Sequence, residues 1–251
     1  MKNLREKIKK AVDVTQRAQR NYDLSKEILN DDLATLIYAA SNSPSKQNET
    51  HYDLYVFTDK QLIRKIYEET KLFLLMQQNE TEDIYGEKNG EFWQSDERSV
   101  HNSQVLANAL FVYFEHRGDP RGGTHAQAHK GEENFDSELK YHTQIGYSIG
   151  VSSGQLTLSA ALMGYKTGYC SAFFKGPVKK ICNTERMPKL LVGIGFENPD
   201  LDRRMHAETC NRDIPNGFRT GSSDEKWRFP SFDKNIQVYL NNSIYNCQNK
   251  S

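Results

Sequence analysis

The chain has little of what marks a membrane, secreted or nucleic-acid-binding protein. Its 251 residues carry 33 Lys+Arg and 33 Asp+Glu, so it has no excess of positive charge for a nucleic-acid backbone. Its apolar runs are short, and none approaches the roughly 20 residues that a membrane-spanning helix needs. The first residues are charged and have no apolar signal segment. We therefore expect a cytoplasmic protein with neither a nucleic-acid nor a membrane partner.

Cysteine is also scarce, and its spacing is uninformative for metal binding. The four cysteines are Cys170, Cys182, Cys210 and Cys247, and no two of them form a Cys-x-x-Cys pair. This spacing fits scattered reduced thiols better than a disulfide framework or a zinc site.

Aromatic residues are plentiful, with 13 Tyr and 12 Phe, so the chain can build a sizeable core. Apolar periodicity predicts helices and strands in an α+β arrangement around one sheet, without regular β-α-β alternation. The predicted helices are 2–15, 25–40 with Ser25 as N-cap, 59–73, and 141–163 with Gly164 as the stop. The predicted strands are 51–58, the end of 105–115, 167–173, 189–196 and a possible final strand in 232–240.

Two long polar segments interrupt this pattern, and we expect both to be parts of one domain spanning residues 1–251. Residues 116–138 read as an insertion that covers a site as a lid, and residues 197–251 as an extended C-terminal segment. A metal site among His116, His125 and His129 is an alternative, but their spacing is not the compact spacing of structural zinc.

Three polar segments could carry chemistry. Arg17 and Arg20 lie three residues apart, and two guanidinium groups make a donor-rich site for a phosphate. The turn Ser43–Asn48 offers donors and acceptors to the edge of a planar heterocycle. Lys226 and Arg228 supply two more cations. Taken singly, each segment is better explained as a solvated charged patch or an ordinary turn.

Their order and spacing together resemble the nitroreductase family of FMN-dependent oxidoreductases, over roughly residues 5–240. Gln16–Tyr22 resembles an arginine-rich RRSxRxF segment, and Ser43–Leu54 resembles a PSxxNxQPW turn that runs into a strand. Ala160–Gly164, Gly168–Cys170 and Val192–Phe196 resemble the later helix end and the two closing strands of the family.

The resemblance implies a three-layer fold, in which a central, mostly antiparallel sheet is flanked by helices, and an entwined homodimer. The helix at 141–163 would cross its counterpart at the dimer axis, since its small residues allow close approach. FMN would lie at the dimer interface, with NADH or NADPH as reductant and an electron-poor small molecule, such as a nitroaromatic or a quinone, as acceptor. Hydride transfer in a ping-pong cycle would occur at flavin N5, so no side chain need be catalytic.

The resemblance also implies a set of cofactor-binding residues. Arg17, Ala18 and Arg20 would meet the phosphate and ribityl chain together with Lys226 and Arg228, for which Arg203 and Arg204 are the competing pair. The ring would be contacted by three groups of residues: Pro44, Ser45 and Asn48; His101 and Gln104; and Ser171, Ala172 and Phe173. A specialised flavin enzyme, either a reductive dehalogenase or a flavin-cleaving enzyme, and a non-catalytic flavin-binding protein remain alternative functions.

Overall fold

A computed structural model describes residues 2–16, 18–45, 48–73, 87–88, 91–92, 99–116, 137–201, 238–240 and 243–245. Its helices are α1 (Lys2–Thr15), α2 (Asn30–Ser41), α3 (Lys60–Glu68), α4 (Ser137–Leu162) and α5 (Lys175–Ile181). Its strands are β1 (Tyr52–Phe57), β2 (Lys71–Phe73), β3 (Glu87–Lys88), β4 (Glu91–Phe92), β5 (Ser99–His101), β6 (Ala109–Glu115), β7 (Lys166–Cys170), β8 (Pro188–Gly195), β9 (Val238–Leu240) and β10 (Ser243–Tyr245). A 3₁₀ turn at Ser103–Val105 precedes β6.

The central sheet has the strand order β1-β6-β8-β7, and every neighbouring pair is antiparallel. β6 lies in its interior and is buried along almost its whole length, which explains its nearly continuous apolar sequence. This confirms the predicted α+β class with a central antiparallel sheet.

Alternate residues of β6 point into two separate cores, as the two-residue period of a strand requires. Phe111 and Tyr113 pack with α2 and α4 on one face of the sheet. Leu110 and Val112 pack with α3 and α5 on the other face. The described part of the chain therefore has the predicted three layers, with α2 and α4 on one face of the sheet and α3 and α5 on the other.

Two predicted helix boundaries are wrong. The second helix begins at Asn30, with Leu29 at the N-cap position, so Ser25 does not cap it. Ser25 instead donates from its backbone N and its Oγ to Asp23 Oδ1, at 3.1 and 2.5 Å, which forms a turn. The third helix ends at Glu68, because Lys71–Phe73 leave it to pair with β5.

The predicted stop at Gly164 is confirmed. This glycine has φ +92°, a conformation that L side chains adopt rarely, and it follows the last turn of α4. Of the predicted lid and C-terminal segment, 117–136, 202–237, 241–242 and 246–251 lie outside the described residues. Of the helices in the described ranges, none combines the length and apolarity that crossing a membrane requires.

Candidate functional site

The arginine-rich segment lies along the ends of β7 and β8. Gln19 N donates to Thr167 O at 2.8 Å, and Asp23 N donates to Phe196 O at 3.0 Å. Between them, Tyr22 is buried and its hydroxyl donates to Gly193 O at 3.2 Å. These bonds fix the backbone on both sides of Arg20, while Ala18 is half-buried. Arg17 lies outside the described residues.

Arg20 and Cys170 interact electrostatically at the end of β7. Burial lowers the pKa of the Arg20 guanidinium, although arginine keeps its charge at any physiological pH. Burial also raises the pKa of the Cys170 thiol to about 11, and the hydrogen bond to Ala172 O and the charge of Arg20 oppose that rise. The thiol is therefore protonated at neutral pH, so it is a poor nucleophile.

Asn102 connects the His101–Gln104 segment with the 171–173 segment, the two segments after β1 that the family resemblance assigns to the flavin ring. Its backbone N donates to Thr70 Oγ1 at 2.9 Å, and its Nδ2 donates to Ala172 O at 2.9 Å. Its Oδ1 accepts from Gln104 Nε2 at 3.2 Å, and the same nitrogen donates to Tyr169 O at 3.2 Å. The structure thus brings the His101–Gln104 segment and the 171–173 segment together.

These bonds determine how the Gln104 amide is oriented. Asn102 uses its Nδ2 as a donor, so its Oδ1 must accept, and the Tyr169 carbonyl can only accept. Gln104 therefore presents its NH₂ group to both partners. Its Oε1 is left buried without a hydrogen-bond partner among the described residues.

Ser103 Oγ, on the residue before Gln104, is also buried without a hydrogen-bond partner within the described part of the chain. A buried polar group without a partner costs about 1–3 kcal/mol. The Gln104 side chain packs against Gly168 of β7. Thr167 Oγ1 is likewise unpartnered, but Thr167 pairs with Ile194 and so points to the opposite face of the sheet, where α2 and α4 pack.

The small residues after β7 lie close to Asn102. Ser171 and Ala172 are exposed, whereas Phe173 is half-buried and packs on the core between the sheet, α3 and α5. His101 is half-buried and its ring lies 5.0 Å from that of Tyr67. These positions leave Ser171 and Ala172 accessible to a ligand.

The turn between α2 and β1 is tied to α4. Within it, Asn48 N donates to Ser45 O and Thr50 N donates to Ser45 Oγ, both at 3.1 Å. Pro44 and Asn48 are exposed, and Ser45 is half-buried. His51, which follows the turn, lies 3.3 Å from Ser148 Oγ of α4 through its Nδ1.

The remaining predicted residues fall elsewhere. Lys226, Arg228, Arg203, Arg204, His125 and His129 lie outside the described residues. His116 Nδ1 lies 3.2 Å from Asp53 Oδ1, and Arg186 pairs with the other oxygen of that carboxylate.

Asn102 and Asn108 were not predicted as site residues, and both hold the site together. Asn108 Nδ2 donates to Asp23 O at 2.9 Å and Lys26 O at 2.8 Å, and its Oδ1 accepts from Phe196 N at 3.0 Å. Both asparagines are buried beside the apolar β6 strand. Polar residues next to a buried strand are the sequence signal that could have identified them.

Known proteins of the same fold cover most of this chain. A family model described as the nitroreductase family matches residues 14–196. A nitroreductase family protein from Clostridium novyi is 15% identical, with a TM-score of 0.51, over 78% of this chain and 89% of that one. A protein from Exiguobacterium sibiricum, assigned as a nitroreductase and solved in complex with FMN, is 17% identical, with a TM-score of 0.52 and coverages of 78% and 89%. Nitroreductase A from Vibrio parahaemolyticus is 11% identical, with a TM-score of 0.52 and coverages of 78% and 70%. Among curated proteins, none matches this chain significantly in sequence.

Proposed function

The chain belongs to the nitroreductase family, and on that premise we propose that it is an FMN-dependent oxidoreductase. In this proposal it takes hydride from NADH or NADPH and passes reducing equivalents, in a ping-pong cycle, to an electron-poor acceptor such as a nitroaromatic or a quinone. We place this activity in the cytoplasm, in keeping with the buried free thiols Cys170 and Cys182.

The observation that carries the proposal is the buried Gln104 amide, whose Oε1 has no hydrogen-bond partner among the described residues. A flavin has an N–H in its pyrimidine ring from which Gln104 Oε1 could accept a hydrogen bond, and the hydroxyl of the preceding Ser103 is unpartnered in the same range. Arg20 offers the planar donor fork that suits a phosphate. The residues present therefore fit FMN, which supplies the hydride chemistry when bound.

The protein side of this mechanism is positioning. Asn102 holds Gln104 and Ala172 in fixed relation, and β7 and β8 fix the backbone around Arg20. Cys170 is kept protonated by burial, which fits a reaction without a protein nucleophile. The side chains bind and orient the ring, and the small exposed Ser171 and Ala172 leave room at its edge.

We also propose a homodimer, supported by an apolar surface on α4. Gly146, Gly150 and Gly154 recur at every fourth residue, and a Cβ at each would meet nothing within 4 Å. Tyr147 and Val151 lie beside them with 65% and 46% of their surfaces exposed. A second α4 could approach closely along this face, which suits an isologous contact.

Purified protein, tested for flavin binding and reduction, decides the main proposal. We expect a yellow protein, or one that FMN turns yellow, and anaerobic bleaching by NADH or NADPH that an electron-poor acceptor reverses. A protein that cannot be reconstituted with FMN would contradict the proposal. Binding without bleaching would indicate a non-catalytic flavin protein, and bleaching reversed only by a halogenated substrate would indicate a reductive dehalogenase.

Gln104→Lys is expected to raise the midpoint potential of bound FMN. An ammonium group at this position would have Asn102 Oδ1 and Tyr169 O as acceptors, and its charge would stabilise the reduced, anionic flavin. We expect a rise of about 30 mV, which for a two-electron couple corresponds to about 1.4 kcal/mol. Anaerobic redox titration measures it, with Gln104→Met as a neutral control of similar length. Equal potentials in the lysine variant and wild type would contradict the assignment of Gln104 to the ring.

A further inference from the structure

A buried chain of polar side chains connects the turn before β1 to α4. His51 Nε2 lies 3.1 Å from Glu49 Oε2, and His51 Nδ1 lies 3.3 Å from Ser148 Oγ. All three residues are buried, with exposures of 8% for Glu49 and 3% each for His51 and Ser148. The proposed reaction makes no use of this carboxylate, imidazole and hydroxyl.

This arrangement does not suit a hydrolytic triad. In such a triad the imidazole Nε2 faces the serine and Nδ1 faces the acid, whereas His51 has the two reversed. Ser148 also lies within the long helix α4 and is almost fully buried, so a substrate could not reach its hydroxyl. The row of Glu49, His51 and Ser148 side chains is therefore better suited to fixing the backbone of the turn before β1 than to catalysis.

The turn that it holds is strained. Asn48 has φ +57° and Thr50 has φ +46°, and Glu49 lies between them. A β-branched residue such as threonine rarely adopts this left-handed conformation. Strain of this kind persists only where the surrounding contacts fix the backbone.

Two residues of α4 fix the turn, one before its start and one after its end. Ser152 Oγ donates to Ala40 O at 2.7 Å, in the last turn of α2, and so anchors the chain before the turn. Ser148, one helical turn earlier on the same side of α4, reaches His51 after the turn. Pro44, Ser45 and Asn48 lie between these two anchors.

We propose that Glu49, His51 and Ser148 are positioning residues that hold the described parts of the turn before β1, Ser43–Ser45 and Asn48–Thr50, against α4, in the conformation that contacts the flavin. This inference rests on the proposed function, because it assigns Pro44, Ser45 and Asn48 to the cofactor. Its structural part is the connection between the strained turn and α4.

The test compares Ser148→Ala and Glu49→Gln with wild type and with Ser153→Ala. Ser153 is a matched control, because it is a buried serine of α4 whose Oγ donates to Gly150 O of the same helix, at 3.3 Å. For Ser148→Ala and Glu49→Gln we expect the FMN Kd, measured by flavin fluorescence, to rise about tenfold. Ser153→Ala should stay close to wild type.

Two further readouts separate positioning from general loss of stability. The visible circular dichroism of the flavin is recorded at saturating FMN, where every binding site is occupied in each variant. It should change in Ser148→Ala and Glu49→Gln. Hydrogen exchange at the amides of residues 48–51 should speed up in both variants, while exchange in β6 stays slow. If one variant does not fold, the other decides.

Unchanged dichroism and unchanged exchange in the folded variants would overturn the inference. Wild-type protein that binds no FMN would instead overturn the proposed function. Amide hydrogen exchange in the cofactor-free variants would then still test whether Glu49, His51 and Ser148 connect the strained turn to α4. Faster exchange at residues 48–51 would support the connection between the turn and α4, and unchanged exchange would overturn it.

Discussion

Gly193→Ala is expected to destabilise the fold by about 3 kcal/mol, the upper part of the range for overpacked cores. A Cβ on Gly193, near the C-terminal end of β8, would overlap the backbone carbonyl oxygen of Gln104 and lie 3.0 Å from Ala107 Cβ. A backbone atom cannot turn away as a flexible side chain can, so the segment before β6 would have to move. Because that segment carries Gln104, the variant should also bind FMN more weakly.

Urea denaturation of the variant and wild type measures this cost. Gly176→Ala is the matched control, since a Cβ there would meet nothing within 4 Å apart from its neighbours in the chain. Gly176 lies in the first turn of α5 and precedes Pro177, whose ring crowds a Cβ on the residue before it, so a small cost is expected there. We expect the midpoint to fall much further for Gly193→Ala than for Gly176→Ala. Equal midpoints for Gly193→Ala and wild type would show that the close approach to Gln104 is absent.

The sheet was predictable because its strands carry strong local signals. β6 and β8 are short apolar runs bounded by polar residues, and the strands observed lie within a residue or two of those predicted at β1 and β8. Gly164 also marked the end of α4 correctly, since few other residues adopt a positive φ there.

The elements that were missed depend on information that is not local. α5 (Lys175–Ile181) contains Gly176 and Pro177, which favour a turn in isolation. Proline is nevertheless tolerated in the first turn of a helix, where its missing N–H would have no intrahelical partner. α3 ends early because the next residues pair with β5, some thirty residues away, and periodicity cannot reveal such a partner.

The candidate site was predictable in outline. The family pattern assigned both 101–104 and 171–173 to the flavin, and the hydrogen bonds of Asn102 connect these two segments. The buried chain from Glu49 to Ser148 could not be predicted, because it joins residues about a hundred positions apart that have no common motif. Burial is what gives such a polar residue its importance, and one sequence does not reveal burial directly.

Arg20→Ala is expected to weaken FMN binding about 50-fold, in line with the loss of a hydrogen bond to a charged group. Arg20 is half-buried at the end of β7, and the bonds of Gln19, Tyr22 and Asp23 fix its backbone. A guanidinium held this way loses little further freedom on binding a phosphate, so its contribution should be large.

Riboflavin, which lacks the phosphate, tests this role directly. Wild type should prefer FMN to riboflavin, and Arg20→Ala should lose most of that preference while its affinity for riboflavin changes little. Arg64→Ala, at an exposed position on α3, is the charge-matched control and should keep the wild-type ratio. If Arg20→Ala lowers the affinities for FMN and riboflavin equally, Arg20 supports the fold of the site. The phosphate must then be held by other cations.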